Sequence, residues 1–256
     1  MSDELLVDRH GPILILRLNR PESRNALTPN MIHRIGAAAR DAEADPDVRA
    51  MLITGSGDRA FCAGMDLRAF ADGANFGADN PDYAAYQRLS SGTLTVPVIA
   101  AANGSAVGGG LELLLGCDVI IAADTATFGL PEVKRGLFPG GSGTAIAQRI
   151  PMGIALELTL TGDPITAARA YELGLVNAVA PNVETFDTAL VFAERIAANA
   201  PLGLAACKEL VRMSVAAPTR VNERLTHWQN VVFPSDDAKE GSRAFVEKRA
   251  PVWRGR

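Results

Sequence analysis

Two glutamates and two glycine-containing turns are the residues of this chain whose types and spacing suit catalysis. Glu112 stands in the first turn of an otherwise apolar helix, flanked by Leu111 and by Leu113-Leu-Leu115. A carboxylate there either balances the positive end of the helix dipole or is held in a dry pocket that raises its pKa. Glu132 follows Phe128-Gly-Leu-Pro131, where a second short helix would begin. The intervening segment has room for a strand out and a turn back. The first turn is Ala60-Phe-Cys-Ala-Gly-Met-Asp66, where small residues around Gly64 let the Met65 N–H approach a ligand. The second is Asn103-Gly-Ser-Ala-Val-Gly-Gly-Gly-Leu-Glu112, whose three glycines leave free N–H groups at the positive end of a helix. Facing each other, two such turns make an oxyanion hole of two backbone donors, each worth roughly 3–4 kcal/mol in a transition state. Two carboxylates beside that hole suit proton abstraction or delivery next to a carbonyl. The plain alternatives stand alongside: glycines that pack a helix against a strand, and acids that complement helix N-termini.

The elements that must hold these residues alternate between strand and helix. Residues 4–19 read as two strands around Gly11-Pro12, and Thr28 caps a helix that has Pro29 at its first position and runs to about Ala44. Val48–Thr54, Val96–Ala102 and Val119–Ala123 read as buried strands, and Gly108-Gly-Gly feeds a helix through Leu115. Helical pattern resumes near Asp66, and Asp72–Pro81, rich in Gly, Asp and Asn, reads as a mobile loop. Past Ile150 helices follow one another over 151–161, 166–173, 184–199, 202–215, 219–232 and 236–248, with Val176–Ala180 as the one strand. The expected architecture is an α/β core over residues 1–195 with a helical region over 196–256.

The 256 residues, 27.0 kDa, are 48% hydrophobic and 21% charged, too apolar for a disordered chain. The net charge of −4 excludes a general pull on nucleic acid and requires any anionic ligand to find a local basic site. No apolar run reaches the roughly 18–20 residues of a membrane span. Met1-Ser-Asp-Glu lacks the look of a signal peptide, and Cys62, Cys117 and Cys207 form no paired framework, so a soluble, cytoplasmic protein without membrane or nucleic-acid partners is expected. Gly55-Ser-Gly-Asp-Arg-Ala60 lacks the helix that a dinucleotide fingerprint must open. Gly140-Gly-Ser-Gly-Thr144 lacks the last glycine of a hydrolase elbow, and His10, His33 and His227 show no metal spacing.

Taken in order, Asn19-Arg-Pro-Glu-Ser-Arg-Asn-Ala-Leu27, Ala60–Asp66, Asn103–Glu112, Phe128-Gly-Leu-Pro-Glu132 and Asp236–Arg249 resemble the successive signatures of the enoyl-CoA hydratase/isomerase (crotonase) family. The resemblance implies a spiral of ββα units with a C-terminal helical oligomerisation region that makes a trimer or a dimer of trimers. It implies a coenzyme A thioester as substrate, with no separate cofactor and no metal, whose acyl oxygen sits between the N–H groups of Met65 and Gly109. Glu112 and Glu132 match both catalytic acids of the hydratase branch, where they activate a water for Cβ and exchange a proton with Cα. Arg24, Ala63, Asp66 and Leu67 fall where the family lines its adenine site. Arg68 and Lys248 fall where basic side chains meet CoA phosphates, Lys248 from a neighbouring subunit.

That resemblance points to syn hydration of a trans-2-enoyl-CoA. Other readings keep the fold: isomerase, thioester hydrolase or decarboxylase, or an acyl-CoA-binding paralogue with little turnover. The segment Gly143-Thr-Ala-Ile-Ala-Gln-Arg-Ile150 is two residues longer before Gln-Arg than in many hydratases, and Met65 brings a large side chain to the mouth of the acyl pocket.

Overall fold

The long apolar runs become strands because their side chains alternate between two buried faces. In β2 (Ile13–Leu18), β3 (Ala50–Gly55), β5 (Val98–Ala102) and β7 (Val119–Ala123), one set comprises Ile13, Ile15, Ala50, Leu52, Ile99, Ala101 and Ile121. Leu16, Leu18, Met51, Ile53, Val98, Ala100, Ile120 and Ala122 form the other. The computed structural model describes residues 3–66 and 80–256. The helix expected near Asp66 and the loop over 72–79 fall outside the described residues.

β1 (Leu5–His10) and β2 form an antiparallel hairpin closed at Gly11, and β3, β5, β7 and β10 (Ala178–Ala180) add to it in parallel, in the order β1-β2-β3-β5-β7-β10. α1 (Pro29–Ala44) starts as its sequence directs: the Thr28 hydroxyl accepts the Met31 N–H at 3.1 Å, and Pro29 opens the helix. Its buried side packs against α2 (Pro81–Ser90).

A second sheet, unread in the sequence, lies at the ends of the long strands. It consists of β4 (Ala60–Cys62), β6 (Ser105–Val107), β8 (Thr127–Gly129) and β9 (Ile165–Thr166), with β9 antiparallel to β8. Strands of two or three residues are too short to show a period. Each of the first three follows a long strand: β3 leads to β4, β5 to β6 and β7 to β8. β6 then runs into α3 (Gly109–Gly116), and β8 into a 3-10 turn over Pro131–Arg135. Asn103 fixes the bend between β5 and β6 by accepting the Gly55 N–H at 2.9 Å and donating to the Gly57 carbonyl at 2.7 Å. The repeat of strand, short strand and helix is the expected ββα architecture.

The remaining helices are α4 (Met152–Thr161), α5 (Ala167–Glu172), α6 (Thr185–Ala197), α7 (Pro201–Ala216), α8 (Val221–Val232) and α9 (Asp236–Glu247). α6 lays Ala189, Ala193 and Ala197 on the sheet. Beyond it burial falls away: α7 buries Ala206 alone and α8 buries nothing. His10, read as a turn residue, ends β1 with its Nε2 3.1 Å from the Glu194 Oε1. Among the described residues no single helix is long and apolar enough to cross a membrane.

Candidate active site

Both glycine turns come to the ends of the short strands and meet. After β4 the chain passes through Gly64 at φ +92°, a conformation that glycine tolerates and L side chains rarely adopt. A methyl group there would sit 2.8 Å from the Val107 carbonyl and 3.2 Å from the Gly109 nitrogen. Leu27 holds this turn from the other side: its N–H donates to the Gly64 carbonyl at 2.8 Å, and its carbonyl accepts the Asp66 N–H at 2.9 Å. The Met65 N–H takes no part in that pairing. Gly109 opens α3, so its N–H has no acceptor in its own helix. Among the described residues neither N–H is assigned a partner. Two unspent donors therefore stand together at the positive end of α3.

The carboxylates flank them in unlike surroundings. Glu112, one turn into α3, accepts the N–H groups of Gly141 and Gly143 on Oε1, each at 3.0 Å. Glu112 stands in the first turn of α3, as the helix-dipole reading expects, and a loop from a later repeat adds two further donors. The run Gly140-Gly-Ser-Gly143 carried the signal, because free N–H groups of a glycine loop suit an anion. Glu132 sits at the start of the 3-10 turn over Gly108, where a methyl would come within 3.1 Å of its Oε1. Its Oε2 is buried and unpartnered. Burial raises the Glu132 pKa above the ordinary glutamate value, the Glu112 charge adds to the rise, and its own backbone N–H and Arg135 oppose it. One carboxylate is thus fixed by two donors and the other favours its proton, a division of the kind that base and acid catalysis requires.

Both open on one cavity of about 860 Å³, lined also by Ala63, Gly64, Met65 and Gly109. Five sequence-derived positions are thereby brought together: Ala63, Met65, Gly109, Glu112 and Glu132. Arg24 and Asp66 lie next to the lining. The exposed Arg24, at φ +52°, accepts the Ala63 N–H on its carbonyl at 3.0 Å, and Asp66 pairs with Arg20 at 3.0 Å. Leu67 and Arg68 are outside the described residues. Lys248 is the exposed C-terminal cap of α9 and does not line the cavity of its own chain. Sequence reasoning passed over the wall to which α2 contributes Tyr83, Tyr86 and Gln87, and over the exposed Arg135. Its signal was the Tyr83–Tyr86 spacing of three on one helix face. Among the described residues no group of His, Cys, Asp and Glu is arranged to hold a metal ion.

The pattern that defines the enoyl-CoA hydratase/isomerase family matches residues 8–256. The chain is 40% identical to enoyl-CoA hydratase EchA19 of Mycobacterium tuberculosis over 99% of its own length and 97% of that protein's. It is 39% identical to the carnitinyl-CoA dehydratase of Salmonella typhi, covering 100% of both. A crystal structure of an enoyl-CoA hydratase from Mycobacterium tuberculosis superimposes with a TM-score of 0.91 at 41% identity, covering 99% of each chain.

Proposed function

The chain belongs to the enoyl-CoA hydratase/isomerase family, and from that premise we propose that it adds water to a trans-2-enoyl-CoA, giving a 3-hydroxyacyl-CoA. The observation that carries the reading is the pair of unlike carboxylates beside two unspent backbone donors. The thioester oxygen lies between the N–H groups of Met65 and Gly109, which stabilise the negative charge it gains when water attacks Cβ. Glu112, steadied by Gly141 and Gly143, holds the water and takes one of its protons as the oxygen bonds to Cβ. The π electrons shift toward the thioester oxygen, and Glu132 delivers its proton to Cα as the charge returns. Hydroxyl and hydrogen add to the same face of the double bond, which requires both carboxylates on one side of the acyl chain; both line the one cavity. Exchange of one proton between the two glutamates through solvent restores the starting state. No metal or separate cofactor enters.

Arg24, Ala63, Asp66 and Leu67 form the adenine side of the CoA site, with Arg68 and a neighbouring subunit's Lys248 at the phosphates. In support, Arg24 and Asp66 flank the Ala63–Met65 edge of the cavity. Three free cysteines, two of them buried, suit the reducing cytoplasm. A second reading, the reverse dehydration of a carnitinyl-CoA-like 3-hydroxyacyl thioester, is favoured by the 39% likeness over the full length of the Salmonella typhi protein.

Loss of enoyl-thioester absorbance with crotonyl-CoA tests the assignment. Glu132→Gln and Glu112→Gln are each expected to lower turnover by about 10²–10⁴-fold while leaving thioester affinity near wild type, since the amide keeps shape and loses proton transfer. Near-normal hydration by either variant would overturn the two-carboxylate mechanism. An inactive wild type that still binds the thioester would make it an acyl-CoA-binding paralogue.

A further inference from the structure

The wall that α2 gives the cavity is more polar than a plain alkyl chain requires. α2 lines the cavity with Tyr83, Tyr86 and Gln87, so an alkyl tail running past Glu112 would leave the Gln87 amide and the Tyr86 hydroxyl without partners; the neighbouring Ser90 and Ser91 hydroxyls donate to the Gln87 and Arg88 carbonyls. Tyr86 is the best placed of these. Its ring stacks on Tyr83 with centroids 6.4 Å apart and planes 19° from parallel, which fixes the direction of its C–O bond. The hydroxyl has no hydrogen-bond partner among the described residues, yet it is not sealed inside the protein. Tyr86 lines the cavity, which gives its unspent hydroxyl a space to open on. Burial, with Cys62, Glu112 and Tyr83 nearby, holds the phenol above its usual range, so it remains a neutral donor. Tyr86 and Glu112 line the same cavity from two helices that pack together, so an acyl chain whose Cβ lies at Glu112 continues past α2 with the atoms just beyond it.

Resting on the hydratase reading, we propose that Tyr86 determines substrate choice: its hydroxyl selects acyl groups that carry a hydroxyl, ether or carbonyl oxygen one or two carbons beyond Cβ. A site built around a donor discriminates against the isostere that cannot accept, because the donor is then left unpaired in the complex.

Two isosteric pairs test this. 4-Hydroxy-trans-2-butenoyl-CoA is compared with trans-2-pentenoyl-CoA, and 5-hydroxy-trans-2-pentenoyl-CoA with trans-2-hexenoyl-CoA; in each pair an oxygen replaces a methyl. In the wild type, kcat/KM for at least one hydroxylated member is expected to exceed that of its isostere by about tenfold or more. Tyr86→Phe is expected to bring that ratio close to one, whereas a merely structural role for the hydroxyl would slow both members alike. Equal hydration within both pairs by the wild type overturns the proposal, as does a preference that survives Tyr86→Phe. Tyr86→Leu, which also removes the hydroxyl, takes the place of Tyr86→Phe if that variant does not fold, and a preference that survives it overturns the proposal equally. The same comparison in Kd, by calorimetry, separates the two readings: no turnover of any thioester, with a preference in Kd that Tyr86→Phe removes, overturns the hydratase assignment and supports the selection.

Discussion

Glu112 and Glu132 are the same side chain given different work by what surrounds each. Two backbone N–H groups steady the first, while burial leaves one oxygen of the second without a partner and raises its pKa. Hydration in the proposed mechanism needs one proton on the pair, held by Glu132. Activity should therefore fall as pH rises through the pKa of Glu132, with that alkaline limb displaced above the ordinary glutamate value. Arg135 lowers this pKa, so Arg135→Gln should move the limb to still higher pH. The measurement is kcat/KM against pH for both proteins. A limb unmoved or shifted downward in the variant would show that another group governs it.

At the scale of elements, the site depends on loops from successive repeats meeting at one end of the sheets. The 137–143 segment reaches back to α3, and its exposed Gly141 has just room for the Glu112 carboxylate: a methyl on it would lie 2.6 Å from Oε2. Gly141→Ala should push that carboxylate off its donors and lower crotonyl-CoA turnover by about 10–100-fold, the scale of losing a positioned catalytic group in part. Because the residue is exposed, the melting temperature should move by only a degree or two. Gly110 is the contrast, since a methyl there would stand 2.2 Å from the Cys62 carbonyl inside the core and should compromise folding. Turnover and a thermal melt on the Gly141 variant distinguish the cases; unchanged turnover would remove the loop from the mechanism.

In the whole molecule, burial is uneven. The sheets and α1 to α3 carry the large core, while α8 has no buried residue and Phe233, Phe245 and Val246 are 72%, 86% and 78% exposed. So much apolar surface on neighbouring C-terminal elements exceeds what an isolated protomer usually leaves in water. The protein should associate through this region as a trimer or a dimer of trimers, which would also carry Lys248 to a neighbour's CoA site. Light scattering should return three or six times the 27.0 kDa chain mass. A mass near 27.0 kDa at working concentration would overturn the assembly and the role of Lys248 together.

Sequence alone determined what local pattern can carry. Strands of five or six residues alternate their apolar faces, Thr28-Pro29 starts α1, and the order of glycine turns and glutamates carries the family resemblance that implied one site for Met65, Gly109, Glu112 and Glu132. Tertiary structure decided the rest. Strands as short as Ile165–Thr166 exist only through pairing with a distant neighbour. The partners of Glu112, the unspent hydroxyl of Tyr86 and the unpaired oxygen of Glu132 follow from which loops meet across the sheets. The physical reason is that periodicity and caps are properties of neighbouring residues, whereas burial and hydrogen-bond satisfaction at a site belong to groups far apart in the chain.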